Sequence, residues 1–369
     1  MTKGVWLAPR ALMLLTIAAA LLGGMGAGLS RLGVPADPIS RNWMLVHGPL
    51  MISGFLGTLI CLERAVALAS RYRWSIAVPA VNALGAFSLL AAPDAPLAKW
   101  LLTAGSAGLV ILFALMLRLH PTRDVVIMAI GSQAWLAGNV LWLSGQPIFH
   151  AVHPWTAFLI LTIVGERLEL SRVRRLTVTA ERLLVLAVAV YVGGIALSVY
   201  QHDAGTRLFG VGAVLMAAWL LRYDIARRTI QQTGLPRYIA ACLLAGYGWL
   251  AVGGLLAVWN GATYAGADYS AILHSFLLGF VFSMIFGHMP IIFPALTGLK
   301  VSYTPVFYVH LFLLHATLLH RQVAALTRDL EAQQSGGTLN VIAVLLFLAV
   351  TAVTVVRSNF IQRPRPSAA

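Results

Sequence analysis

Charge is scarce in this chain. Only 10% of its 369 residues are charged, against 59% hydrophobic, where a soluble domain carries about 25% charge. Water cannot solvate such a surface, but lipid can. Within lipid every backbone polar group must pair internally, which leaves helices or a closed barrel. Strict alternation of polar and apolar residues is absent, and that excludes a barrel of short strands. Cysteine is nearly absent too: Cys61 and Cys242 lie far apart, each within an apolar run, and no Cys-x-x-Cys occurs. Thiolate metal sites, iron–sulfur clusters and c-type haem attachment are thereby excluded. Both thiols read as small apolar side chains. No stretch between the apolar runs is long enough for an independent soluble fold; the longest pieces are the loop around Arg321–Thr338 and the tail Arg357–Ala369.

What the sequence does have is apolar runs of the length that crosses a bilayer. They predict an all-α polytopic membrane helix bundle of about twelve spans in a single domain, 1–369. The spans are Leu7–Leu29, Trp43–Ala69, Trp74–Ala92, Leu97–Leu117, Val125–Leu143, Val152–Leu170, Leu183–Tyr200, Thr206–Leu221, Tyr238–Trp259, Tyr269–Phe293, Tyr303–Leu319 and Leu339–Val356. The first follows Lys3 and Arg10 as a signal peptide would, but lacks a small-residue cleavage site and reads as a retained span. Sorting the intervening loops alternately puts all but six of the 26 basic residues on one side. The six are Arg31, Arg41, Lys99, Arg207, Arg321 and Arg328. The positive-inside rule then places both termini in the cytoplasm of a multi-pass protein of a bacterial inner membrane. The net charge of +14 is therefore assigned to topology and anionic lipid contact, with no nucleic-acid partner. Oligomeric state has no signature here.

Polar groups inside a membrane are costly and tend to mark function. His47 and His274 each lie about one turn inside an even-numbered span, from the same predicted periplasmic side. At one depth, they could ligate a single metal or haem iron. His150 and His153 begin the sixth span at i, i+3, a spacing that puts both rings on one helical face and can chelate a metal. His310 and His315, five apart in the eleventh span, are turned about 140° from each other. His288 follows His274 by fourteen residues and, in a regular helix, shares its face about 21 Å deeper. His120, His202 and His320 read as interfacial loop residues. Met51 shares the face of His47 and could pack on a macrocycle or fill space. Pro290 and Pro294 are expected to break the tenth helix near its end. Glu63-Arg64 and Glu166-Arg167 read as self-neutralising pairs near the headgroups, with proton entry as the alternative. Gln133 and Asn139 are expected to hydrogen-bond a buried group.

The run His47-Gly-Pro-Leu-Met-Ile-Ser-Gly-Phe55, with His274-Ser-Phe-Leu-Leu-Gly279, Met284 and Gly287-His288, resembles the histidine motifs of the NnrS family. That family comprises bacterial membrane proteins of about twelve helices linked to nitric oxide stress. More distantly, the layout is similar to the catalytic subunit of haem–copper oxidases, with His153-Pro154 at the place of a copper ligand in the sixth helix. The seventh span has no histidine and Pro49 stands where NnrS proteins commonly have a second one, so oxygen reduction at a haem–copper centre is not implied. The resemblance implies haem held by His47 and His274 with Met51 alongside, copper as a second metal for which His153, His150, His288, His310 and His315 are the candidates, and an electron donor or quinol as partner. It leaves open gas binding, electron transfer or, as an enzyme, redox chemistry on nitric oxide. A secondary transporter is the alternative, since twelve spans with both ends inside also suit that class. It lacks support from a repeat between the halves or from broken-helix signals in matching positions. A scaffold without a site of its own is a third reading.

Overall fold

The computed structural model describes residues 7–34, 42–171 and 176–361. Lys3, Arg41, Arg172, Arg174, Arg175, Arg363 and Arg365, used above to orient the chain, lie outside them. Among the described residues every regular element is helical. Eleven helices are long and apolar enough to cross a membrane. The chain divides into two compact units, Met1–Glu169 and Leu170–Ala369.

In the first unit the spans are α1 Leu7–Arg31, α2 Met44–Leu68, α3 Arg73–Ala91, α4 Pro96–Leu119, α5 Arg123–Leu143 and α6 Ile148–Leu170. The second unit holds α7 Val178–Ser198, α8 His202–Tyr223, α9 Gly234–Asn260, α10 Gly266–Thr297, α11 Phe307–Leu326 and α12 Leu330–Val356. α11 is the one helix of this set outside the apolar eleven. Its three histidines, with Arg321 and Gln322, lower its hydropathy, although its length suffices for a span.

Three expectations change. The loop expected around Arg321–Thr338 is helical except for Thr327–Asp329. Its polar residues are not solvated but turned inward: Arg321, Gln322 and Gln333 are all buried. Gly336 permits this, because a Cβ there would stand 2.9 Å from the Arg321 Cβ, so α11 and α12 close on each other right up to their turn. Pro290 and Pro294 do not end α10. The helix runs through both and stops at Gly298, whose φ of 76° is the left-handed conformation that terminates helices. The short eighth span, Thr206–Leu221, extends into a 22-residue helix whose first turn is polar and escaped the apolar count.

The second unit also shows how closely glycine lets helices approach. A Cβ on Gly194 would lie 2.2 Å from the backbone nitrogen of Phe209, and one on Gly212 2.5 Å from the Cα of Tyr191. α7 and α8 thus meet backbone to backbone. Gly212→Val is expected to destabilise the protein by about 3 kcal/mol, since backbone cannot swing aside as a flexible side chain would. Denaturant unfolding in detergent micelles reads this, and an unchanged midpoint would refute the packing.

Candidate functional site

Two histidines expected to carry chemistry, His47 and His274, stand at the head of irregular helix. After His47-Gly-Pro49 the chain of α2 forms a π-helix over Leu50–Gly57 before resuming α geometry at Thr58. After His274 the chain of α10 does the same over Ser275–Phe282. π segments within α-helices are rare and gather at functional sites, because each inserts an extra residue and releases backbone groups from the ladder.

Side chains brace the backbone at both segments in a similar way. In the first, Asn82 on α3 donates from Nδ2 to the Ser53 carbonyl and to Thr58 Oγ1, at 2.8 Å each. Thr58, the residue after the π segment, donates in turn to the Gly54 carbonyl. In the second, Gln322 on α11 donates from Nε2 to the Ala271 carbonyl and to Ser275 Oγ, at 3.1 Å each. Ser283, again the residue after the segment, donates to the Gly279 carbonyl. A carboxamide from a neighbouring helix and a hydroxyl four residues beyond a glycine recur in each unit. The matching runs are Gly54-Phe-Leu-Gly-Thr58 and Gly279-Phe-Val-Phe-Ser283. This local repeat is only five residues long, too short to stand out as a repeat between the halves. Asn82 and Gln322 do not stand out in the sequence either.

The histidine rings are held by carbonyls. His47 Nδ1 lies 2.7 Å from the Gly24 carbonyl of α1. A carbonyl only accepts, so Nδ1 carries the proton and, in the neutral ring, the lone pair resides on Nε2. The ring sits where a side chain on Gly28 would otherwise be: a Cβ there would fall 2.8 Å from its Cε1. Met51 Sδ fills the equivalent space over Gly24, 2.5 Å from a Cβ position. The pair Gly24 and Gly28, one GxxxG spacing, thus cradles both residues, which share a face as expected. Met51 packs on α1.

His274 Nδ1 bonds the Ser270 carbonyl at 2.7 Å, one turn back, with Ser270 Oγ at 3.2 Å. His288 repeats this on the Met284 carbonyl at 2.8 Å. The three rings therefore share a tautomer, the one whose Nε2 can ligate iron. The same-face expectation for His274 and His288 assumed a regular helix. The π segment between them adds a residue and turns His288 by roughly 100°.

The remaining candidates are placed differently. His310 is buried, 3.0 Å from the Tyr238 hydroxyl and walled by Phe286, Phe307 and Phe347. His315 Nδ1 accepts from Trp249 Nε1 at 2.9 Å, which puts its proton on Nε2. Though turned apart on α11, both rings engage residues of α9. His150 packs on Phe149 with ring centroids 4.4 Å apart, and His153 is buried within α6. Among the described residues no three of His, Cys, Asp and Glu gather as a metal site would require. His320 is helical rather than in a loop, 3.0 Å from Ser335 Oγ. His202 opens α8 and stacks on Tyr264.

The polar residues of the first unit form two further centres. Asn139 on α5 is fully buried. Its Oδ1 accepts from Ser53 Oγ at 3.1 Å and Trp155 Nε1 at 2.9 Å, and its Nδ2 donates to the Leu102 carbonyl at 3.1 Å. Trp135 Nε1 donates to Ser53 Oγ at 3.0 Å. Gln133 has no such role and faces outward. At the opposite end of α2, Arg64 pairs with Glu166 of α6, and with its neighbour Glu63 at 3.5 Å. The sequence neighbours thus do not simply neutralise themselves; the closer pair joins two helices. Both thiols, Cys61 and Cys242, are free and buried.

No curated protein and no solved structure matches this chain. One family model does, that of the domain of unknown function DUF8744, over residues 10–356. Since that match takes in both six-helix units and all eight candidate ligands, the chain belongs to the DUF8744 family.

Proposed function

We propose that this protein is a haem-binding integral membrane protein of the NnrS-like type, in which His47 and His274 would each hold a haem iron through Nε2. The observation that carries the reading is the fixing of His47: Nδ1 tied to the Gly24 carbonyl, the ring seated over Gly28, a π segment three residues on. Metal-ligating histidines are oriented by such a second bond, which sets the tautomer and raises ligand basicity. His274 shares two of these features, Nδ1 tied to a carbonyl, here that of Ser270 on its own helix, and a π segment that begins at the next residue.

The residues present fit haem better than copper. Haem brings its own four nitrogens and asks the protein for one or two imidazoles and an apolar wall. A copper site needs several converging donors, which the described residues do not assemble. Bound haem would supply a one-electron couple and, where a single imidazole holds the iron, a position for a diatomic gas. A nitric-oxide-linked role, an electron donor or quinol and a bacterial inner-membrane setting belong to this same proposal.

The test is colour. Protein from haem-replete cells, purified in mild detergent, should show a Soret band that shifts on reduction. His47→Ala and His274→Ala should each diminish or displace it. A colourless wild-type protein removes the proposal. It would favour a secondary transporter instead, a reading that two six-helix units, each with an interrupted helix, also accommodate.

A further inference from the structure

Among the described residues Arg321 is a buried cation without a counter-ion. It lies on α11, five residues before the helix ends at Leu326, and is 8% exposed. Its guanidinium makes one hydrogen bond, from Nη2 to Ser270 Oγ at 3.1 Å. Among the described residues no carboxylate stands within ion-pair distance of it. The nearby acids are committed elsewhere. Asp268 pairs with Arg328 at 2.7 Å, and Asp329 caps α12 by accepting from the Ala332 amide at 2.9 Å. The carbonyl end of α11 offers partial negative charge only. The neighbouring Gln322 donates its amide protons to Ala271 and Ser275, so it brings no charge either.

A guanidinium taken out of water loses several kcal/mol of solvation, and only an anion in good geometry returns it. Such residues inside membrane proteins pair or line substrate paths. Nothing in the fold requires a charge at this point. Gly336 meets only the Cβ and backbone of Arg321, atoms that a neutral side chain would also present. We propose that Arg321 and Ser270 form an anion-binding site in the second unit that receives a carboxylate. The guanidinium fork matches two coplanar oxygens, which chloride cannot offer, and Ser270 Oγ holds the fork at the required angle. The carboxylate belongs either to a free small anion or to a molecule retained through purification. The site shares Ser270 with the bonds that fix His274, but its unfolding readout needs no haem, and the mass of an adduct tells haem from any other carboxylate.

The experiment uses the full-length protein in non-ionic detergent. Thermal unfolding is followed in acetate and in chloride at matched ionic strength. If the anion is free, acetate raises the wild-type Tm by about 5 °C over chloride, and Arg321→Met abolishes the difference. If the carboxylate is part of a retained molecule, acetate changes nothing. Native mass spectrometry then finds on the wild type an adduct that Arg321→Met lacks. In both cases anion-free Arg321→Met unfolds at or above the wild-type temperature once the wild type is stripped of ligand, because an uncompensated buried charge has been removed. A purely structural arginine would give the reverse. Arg321→Lys keeps the charge and loses the fork, so it serves where Arg321→Met does not yield folded protein. It should bind acetate several-fold more weakly, or lose the adduct. An acetate stabilisation of the same non-zero size in wild type and Arg321→Met, or no stabilisation together with no adduct, overturns the proposal.

Discussion

Arg64→Leu is expected to lower the unfolding free energy by about 3–5 kcal/mol. The side chains of Arg64 and Glu166 are only 9% and 19% exposed, so solvent screens their interaction little. Removing the guanidinium leaves the Glu166 carboxylate buried beside α2 with its partner gone. Glu63, 3.5 Å from Arg64, loses the same partner. The double variant Arg64→Leu/Glu166→Leu should recover most of the loss, because a buried pair replaced by apolar groups of similar size is often close to neutral. Reversible unfolding in mixed micelles measures both, and the coupling follows from the cycle. A single variant within 1 kcal/mol of wild type would mean that the pair is solvated and that the two helices are joined by something else. The exposed pair Asp203–Arg207, 56% and 46% exposed, should by contrast be nearly silent, as screened surface pairs are.

Asn139→Leu is expected to cost about 2–4 kcal/mol. Leucine keeps the branched outline of asparagine but its methyls are bulkier than the amide, so overpacking adds to a loss that is mainly polar. Trp155 Nε1 loses its acceptor and the Leu102 carbonyl loses its donor, while Ser53 can rotate its hydroxyl and still accept from Trp135. Each orphaned buried group costs about 1–3 kcal/mol. Membrane interiors lean to the low end, because an unfolded helix bundle also finds partners. The second consequence is local. Ser53 lies inside the π segment after His47, and its carbonyl is held by Asn82. Loosening it should disturb the His47 surroundings as well as stability, so a haem spectrum altered in Asn139→Leu at temperatures where the fold is intact would follow. Unchanged stability in Asn139→Leu would show that the network is not a structural tie.

Much of this was legible in the chain. Helix count, helix type and the burial of Cys61 and Cys242 follow from long apolar runs, because lipid admits no other backbone arrangement. Asn139 was legible as a buried hydrogen-bonding residue because a carboxamide in an apolar run must find partners. Gln133, six residues earlier, carried the same signal and faces outward; composition alone cannot tell the two faces of α5 apart. The segment after Arg321 read as a loop because its residues are polar. It folds as helix because those residues turn toward Ser270, Ala271 and one another, an outcome that depends on α10 being there.

The sequence by itself determined that this is a membrane protein of helices with its histidines near the ends of particular spans, since hydropathy and length act residue by residue and need no neighbour. Only the tertiary structure decided what those residues meet. It turned regular helix into π segments at Leu50–Gly57 and Ser275–Phe282, held open by Asn82 and Gln322 from adjacent helices. It set the His47 ring on Gly28 and buried Arg321 with no counter-ion among the described residues. Those outcomes rest on distances between helices, and no local pattern encodes them.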